Sequence, residues 1–143
     1  MAVELHFQSC MRRTGIDLSD SLRGVYVLIV NADATGRTLQ AAVLRYCAAY
    51  VHAVSSLGDA LTAMTHMVPD AIIVDAAMAE QDAFAFIRDV RALKPLEGGN
   101  VAAIGVGPAS AERDVRASGF DSYLPKPFDP WELCAVIGRL VAR

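Results

Sequence analysis

Two charged residues follow short apolar runs that are typical of strands. Asp75 ends the run at residues 71–74, and Lys126 follows the run at residues 120–124. A carboxylate can act as a nucleophile toward phosphorus, and a lysine ammonium can hold a phosphoryl oxygen as a point charge. If both runs lie in one sheet, the two residues meet at the same edge, and we expect them on neighbouring strands. The pattern therefore indicates phosphoryl chemistry at Asp75, assisted by Lys126.

Strand-like and helix-like segments alternate five times from residue 24 onward. The apolar runs at residues 25–30, 51–54, 71–74, 101–106 and 120–124 indicate strands that are mostly buried on both faces. Helical spacing or capping signals follow each run, and the first helix is predicted at residues 38–50. This alternation predicts an α/β fold, with one parallel sheet covered by helices on both faces. We expect a single domain at residues 24–143, preceded by an extension at residues 1–23 without clear structure.

Composition argues against several classes of function. The net charge is −3, and no arginine- or lysine-rich block is present, so we expect no nucleic-acid partner. No apolar run is long enough to span a membrane, and no signal-peptide pattern begins the chain. The cysteines, Cys10, Cys47 and Cys134, are scattered, which predicts reduced thiols, no disulfide and a cytoplasmic location. No cradle for a tightly bound cofactor is apparent.

Two stretches resemble the receiver domains of two-component response regulators. Residues 72–78 (Ile-Ile-Val-Asp-Ala-Ala-Met) are similar to the phosphorylation-site strand and loop of that family. Residues 118–128 (Ser-Gly-Phe-Asp-Ser-Tyr-Leu-Pro-Lys-Pro-Phe) are similar to its fifth strand and lysine–proline loop. The likeness covers about residues 24–143. It implies a flavodoxin-like, doubly wound sheet in the order 2-1-3-4-5.

The resemblance also implies roles and partners. Asp75 would be the phosphoacceptor, supplied by a histidine kinase or a phosphotransfer protein, and Mg²⁺ would neutralise charge at the transferring group. Lys126 would contact the phosphoryl group, and its bond to Pro127 is often cis in this family. Tyr123 would match the aromatic residue whose rotamer reports activation, and a half-buried strand aromatic is the equal alternative.

The acidic pocket expected of this family is incomplete. Two acidic residues usually follow the first strand and hold Mg²⁺, yet Asn31 and Ala32 stand there and Asp33 comes one residue later. The serine or threonine expected at the end of the fourth strand is replaced by Val106. Mg²⁺ binding, with Asp75 and Asp33 as ligands, is therefore expected to be weak. The predicted pocket comprises Asp75, Lys126, Asn31, Ala32, Asp33, Ala77, Val106 and Tyr123.

Two functions within two-component signalling remain open. One is a receiver that accepts phosphate slowly on Asp75; the other is a pseudo-receiver that binds proteins independently of phosphorylation.

An enzyme is disfavoured, because Asn31 stands where haloacid-dehalogenase-type phosphatases need a nucleophilic aspartate. A flavin or nucleotide site is disfavoured because the glycines at residues 105–107 lack the third glycine of a phosphate cradle. Output to a downstream protein is expected from the last two helices and the strand between them, at Arg113, Arg116, Tyr123 and Trp131. An exposed Trp131 would be a contact anchor, and burial at the start of its helix is the equal alternative.

Overall fold

The structure, a computed structural model, describes residues 19–76 and 80–142. Five parallel strands form one sheet in the order β2-β1-β3-β4-β5. The strands are Tyr26–Val30 (β1), Tyr50–Val54 (β2), Ala71–Asp75 (β3), Ala102–Gly107 (β4) and Ser122–Pro125 (β5). The helices are Ala34–Tyr46 (α1), Leu57–His66 (α2), Glu80–Arg91 (α3), Glu112–Ala117 (α4) and Trp131–Val141 (α5), with 3₁₀ turns at Pro95–Glu97 and Ala109–Ala111. The predicted doubly wound fold and strand order are confirmed.

The sheet separates two apolar cores. Ile29, Ile73 and Ile104 point into the first core, which α1 and α5 cover, whereas Leu28 and Ile72 point into the second, which α2, α3 and α4 cover. Because successive strand residues face opposite sides, both sets must be apolar, which explains the unbroken runs in the sequence. Burying one such side chain contributes about 1.5–3 kcal/mol to stability. In the part of the chain described here, no helix is long and apolar enough to cross a membrane.

Helix α1 occupies an earlier stretch than the predicted residues 38–50. It begins after Asp33, whose carboxylate accepts a hydrogen bond from the Gly36 N–H at 2.9 Å. Such a cap satisfies a backbone donor that has no partner inside the helix. The helix ends at Tyr46 because Ala48 adopts a left-handed conformation (φ 74°), which turns the chain into β2. The carboxyl end of β1 therefore connects to α1 within three residues.

The turn at residues 19–24 packs onto the domain. The Leu22 side chain is fully buried in the first core, and its backbone N–H donates to the Cys47 carbonyl at 2.9 Å. Residues 1–18 of the expected extension lie outside the described residues, so the boundary at residue 24 stays a prediction. Among the residues described, the packed structure extends to Leu22.

Candidate functional site

Asp75 and Lys126 form an ion pair at the carboxyl edge of the sheet. Asp75 is the last residue of β3, and its side chain is 5% exposed, whereas Lys126 follows β5 and is 43% exposed. The Lys126 Nζ lies 2.6 Å from the Asp75 Oδ2. The expectation of neighbouring strands was wrong, because β4 lies between β3 and β5 and the long lysine side chain reaches across its end. The contact is a charge-assisted hydrogen bond on a nearly buried carboxylate.

Strand β4 holds both residues of the pair through the backbone. The Ala76 N–H donates to the Val106 carbonyl, and the Lys126 N–H donates to the Gly107 carbonyl, each at 2.7 Å. The Lys126–Pro127 peptide bond is cis. Hydrogen bonds to β4 therefore fix the backbone at both ends of the ion pair. The distance between Asp75 and Lys126 is set by the sheet as well as by the loop after β5.

The residues after β1 are held by hydrogen bonds between side chains and the local backbone. Asn31 is 3% exposed, and its Oδ1 accepts a hydrogen bond from the Asp33 N–H at 2.9 Å. The Asp33 carboxylate caps α1, and Arg37 donates to the Asn31 carbonyl at 2.8 Å. Ala32 is exposed and offers no ligand. The oxygen atoms that could extend the acidic pocket are thus already engaged in shaping the start of α1.

These donors do not fit a tight Mg²⁺ site. Mg²⁺ prefers oxygen ligands at near-octahedral positions and usually one or two carboxylates. Asp75 is paired with Lys126, and Asp33 serves as a helix cap. Within residues 19–76 and 80–142, no group of three or more histidine, cysteine or acidic side chains could hold a metal ion. Weak binding of Mg²⁺ by Asp75 and Asp33 stays a prediction.

A cleft of about 530 Å³ opens beside the ion pair, between α1 and the connection from β5 to α5. It brings together four of the predicted site residues, Asn31, Asp33, Asp75 and Lys126. Ala32, Val106 and Tyr123 do not line it, and Ala77 lies outside the described residues. The remaining lining residues, which are mostly apolar and were not predicted, are Gly36, Leu39, Gln40, Pro127, Phe128, Pro130 and Leu133.

Gln40 is the polar residue of this cleft that sequence reasoning missed. Its side chain is 7% exposed, and its Oε1 accepts no hydrogen bond from any residue that the structure describes. The available signal was its helical spacing to Val43 and Leu44, which are fully buried. The first apolar residue of the predicted helix is Leu39, and that side chain is 37% exposed. The buried face of α1 therefore includes a polar residue next to the ion pair.

Replacing this glutamine should stabilise the protein. Gln40→Met keeps the side-chain volume and removes a buried oxygen that lacks a donor, so we expect the free energy of unfolding to rise by about 1 kcal/mol. Urea unfolding followed by circular dichroism measures the change. Leu39→Met, on the exposed side of the same turn, should stay within about 0.5 kcal/mol of the parent. A loss of stability in Gln40→Met would mean that the amide has a hydrogen-bond donor in solution.

Val106 and Tyr123 lie on opposite faces of the sheet. Val106 pairs with Asp75 in the register of β3 and β4, and its side chain is fully buried in the first core. Tyr123 is 2% exposed in the second core, and its hydroxyl donates to the Pro108 carbonyl at 2.7 Å. The Tyr123 ring is therefore fully buried, so the alternative of a half-buried strand aromatic was wrong, and a role for its rotamer in activation stays a prediction.

Gly105 makes room for the inward ring. A Cβ atom at this position would lie 3.0 Å from the Tyr123 Cδ1 and 2.8 Å from the Val115 Cγ1. Both separations are too short for carbon atoms in contact, so the missing side chain is what lets the ring pack against β4. Strand β4 therefore makes room for the buried Tyr123 ring at Gly105, and it has no hydroxyl at Val106 that could contact a phosphoryl group.

The aromatic residues of the expected output surface are buried. Trp131 is 4% exposed and makes an edge-on contact with Tyr46, with 5.6 Å between ring centroids. Its helix packs on α1, so the ring fills the first core rather than projecting outward. Arg113 is exposed, and Arg116 pairs with Glu112 at 2.9 Å. Of the four residues predicted for this surface, the two arginines are therefore exposed and the two aromatic residues are not.

Comparisons with known proteins agree with this fold. The family model for the response regulator receiver domain matches residues 27–138. An uncharacterized 14.6 kDa protein in the sodA1 3′ region of Leptolyngbya boryana is 33% identical over 114 residues, covering 78% of this chain and 86% of that protein. The chain therefore belongs to the response regulator receiver domain family, the receiver modules of two-component systems.

Solved structures show the same architecture. A protein from Chloroflexus aurantiacus J-10-fl, assigned as a response regulator, is 29% identical, with a TM-score of 0.75 over 83% of this chain and 98% of that one. The receiver domain of sensor histidine kinase PA1611 from Pseudomonas aeruginosa PAO1 is 27% identical, with a TM-score of 0.74 over 84% and 99% of the two chains. That domain has a magnesium ion coordinated in its active site cleft.

Proposed function

We propose that this receiver accepts a phosphoryl group on Asp75, at a low rate, from the phosphohistidine of a histidine kinase or phosphotransfer protein. The observation that carries the proposal is the 2.6 Å contact between the Lys126 Nζ and the Asp75 carboxylate at the carboxyl edge of the sheet. In the transfer, an Asp75 oxygen forms a bond to phosphorus while the bond from phosphorus to the histidine nitrogen breaks. The imidazole nitrogen keeps the electron pair of that bond.

Lys126 balances negative charge both before and after the phosphoryl transfer. Its ammonium offsets the Asp75 charge before transfer and a phosphoryl oxygen after it, as a point charge that can pivot. Its 43% exposure is consistent with such movement. The same contact slows transfer, because the ammonium must leave the carboxylate oxygen that it stabilises. The absence of carboxylates at Asn31 and Ala32 adds to the barrier, since less countercharge can be recruited for the developing negative charge.

Intact mass spectrometry tests the proposal. The full chain is incubated with Mg²⁺ and acetyl phosphate, and we expect the mass of one phosphoryl group to appear slowly. Asp75→Asn should abolish the label, while Asp33→Asn, which changes the neighbouring carboxylate of the cleft, should retain it. Label that persists in Asp75→Asn would place the acceptor elsewhere.

A second candidate is a pseudo-receiver that binds a downstream protein without phosphorylation. The buried Tyr123 favours it, because a ring that is already inward leaves little conformational change for phosphate to drive. Complete absence of label in the experiment above, with partner binding unchanged by Asp75→Asn, would select this candidate. Under either candidate we propose a signalling module without turnover of a separate substrate, acting on protein partners and not on nucleic acid or membranes.

A further inference from the structure

Two cysteines that are distant in the sequence meet inside the first core. Cys47 follows the last residue of α1, and Cys134 lies in α5; both are buried, at 0% and 1% exposure. Their Sγ atoms are 2.8 Å apart. Two sulfur atoms at this separation lie closer than ordinary non-bonded contact, and a disulfide requires about 2.0 Å. A shift of less than about 1 Å would therefore let them bond.

The two thiols differ in their surroundings. A hydrogen bond from the Cys134 thiol lowers the pKa of Cys47, and a hydrogen bond from Ser21 lowers it further, while burial acts in the opposite direction. The same contact with Cys47, together with burial, raises the pKa of Cys134. Cys47 is thus the sulfur that ionises first, and the thiolate is the reactive form of cysteine.

We propose that Cys47 and Cys134 form a reversible redox site, in which a hydroperoxide converts the two thiols into a disulfide that ties α1 to α5. The Cys47 sulfur attacks the peroxide, the O–O bond breaks, and Cys47 becomes a sulfenic acid as one water (or alcohol) leaves. The Cys134 sulfur then attacks the sulfenic sulfur, and a second water leaves. The two thiols lose two electrons, the peroxide gains them, and a dithiol reverses the reaction.

The turn at residues 19–24 gives this site a route to solvent. Ser21 is exposed and contacts Cys47, and the neighbouring Leu22 N–H bonds to the Cys47 carbonyl. Local opening of this turn would therefore uncover Cys47 without unfolding the sheet. The bond would link α1 to α5, and these helices line the cleft beside Asp75 through Gln40 and Leu133. This site is independent of phosphoryl transfer and goes beyond the proposed function.

The test uses the folded full chain with Cys10→Ser, which leaves two thiols. Hydrogen peroxide is added in steps, the thiols that remain are alkylated after denaturation, and peptides are mapped by mass spectrometry. We expect both thiols to disappear together, a peptide that links Cys47 to Cys134, and recovery of both thiols with dithiothreitol. The oxidised protein should have a melting temperature about 5–10 °C higher, because a disulfide across a long loop restricts the unfolded chain.

The Cys134→Ala variant, also with Cys10→Ser, serves as the control for mechanism. The same peroxide treatment should leave Cys47 as a sulfenic acid that dimedone traps, with no rise in melting temperature. If this variant does not fold, the Cys10→Ser protein decides alone. Retention of both thiols at peroxide doses that fully oxidise free glutathione would overturn the proposal. Oxidation to a sulfinic acid, or to disulfides between two chains, would overturn it equally.

Discussion

Restoring carboxylates after β1, with Asn31→Asp and Ala32→Asp together, should raise the labelling rate of Asp75 by acetyl phosphate about a hundredfold in the presence of Mg²⁺. One well-placed electrostatic group at such a site commonly changes the barrier by about 3 kcal/mol, which corresponds to this factor. The two added carboxylates would lie just after β1, the strand that pairs with β3, and the extra negative charge at this edge of the sheet would attract a divalent cation. Time courses of intact mass, recorded at several Mg²⁺ concentrations, measure the effect.

The geometry after β1 suits these substitutions. Aspartate at position 31 has the shape of Asn31, so one oxygen can keep accepting the Asp33 N–H and the other can replace the amide nitrogen. Ala32 is exposed, and a carboxylate there therefore keeps its hydration in the folded state.

Without Mg²⁺ the double variant should be less stable than the parent, because like charges would gather around a nearly buried Asp75. Added Mg²⁺ should then raise its melting temperature and leave that of the parent almost unchanged.

Three further variants show whether the added charge or the added side-chain volume changes the labelling rate. Ala32→Asn adds a side chain of similar size without charge and should not accelerate labelling. Asn31→Asp alone should give an intermediate rate. Val106→Thr, which places a hydroxyl on the strand beside Asp75, should change the rate less than the double variant does, because it supplies no countercharge. If the parent binds Mg²⁺ tightly and labels promptly, the countercharge comes from groups other than these two positions.

The sequence predicted the fold well because burial on both faces of a parallel sheet leaves a local signal. Every residue of β3 is buried, and its unbroken apolar run is readable without any knowledge of its neighbours. Asp75 at the end of that run and Lys126 after the fifth run were recognisable for the same reason, since strand ends in such sheets share one edge. The departures at Asn31 and Ala32 were visible as residue types alone.

Contacts between distant segments left no such signal. The pairing of Cys47 with Cys134 depends on how α1 and α5 pack, and 87 residues separate the two in sequence. Gln40 shares the helical face of Val43 and Leu44, but only the packing of α1 on the sheet shows that this face buries a polar side chain. The inward position of Tyr123 depends on the missing side chain at Gly105, on the adjacent strand. Each of these features is a property of tertiary packing rather than of local pattern.

Adding a methyl group at Gly105 should destabilise the protein by about 1–3 kcal/mol and move Tyr123 out of the second core. The Gly105→Ala methyl would press on the Tyr123 ring and on the Val115 side chain, and overpacking of a dense interior costs energy of this order. Outward rotation of the ring would also break the hydrogen bond from its hydroxyl to the Pro108 carbonyl. Urea unfolding measures the stability, and the near-ultraviolet circular dichroism of tyrosine reports whether the ring stays packed.

Gly58→Ala is the matched control for this substitution. Gly58 lies in α2, and a Cβ there would come no closer than 4.0 Å to the Ser56 Oγ, so alanine should stabilise the protein by up to about 1 kcal/mol. Val115→Ala should partly rescue Gly105→Ala, because it removes the nearer of the two clashing groups. Unchanged stability and an unchanged tyrosine signal in Gly105→Ala would show that the ring is not confined by β4. In that case Tyr123 would be able to change rotamer, and phosphate on Asp75 could act through it despite the missing hydroxyl at Val106.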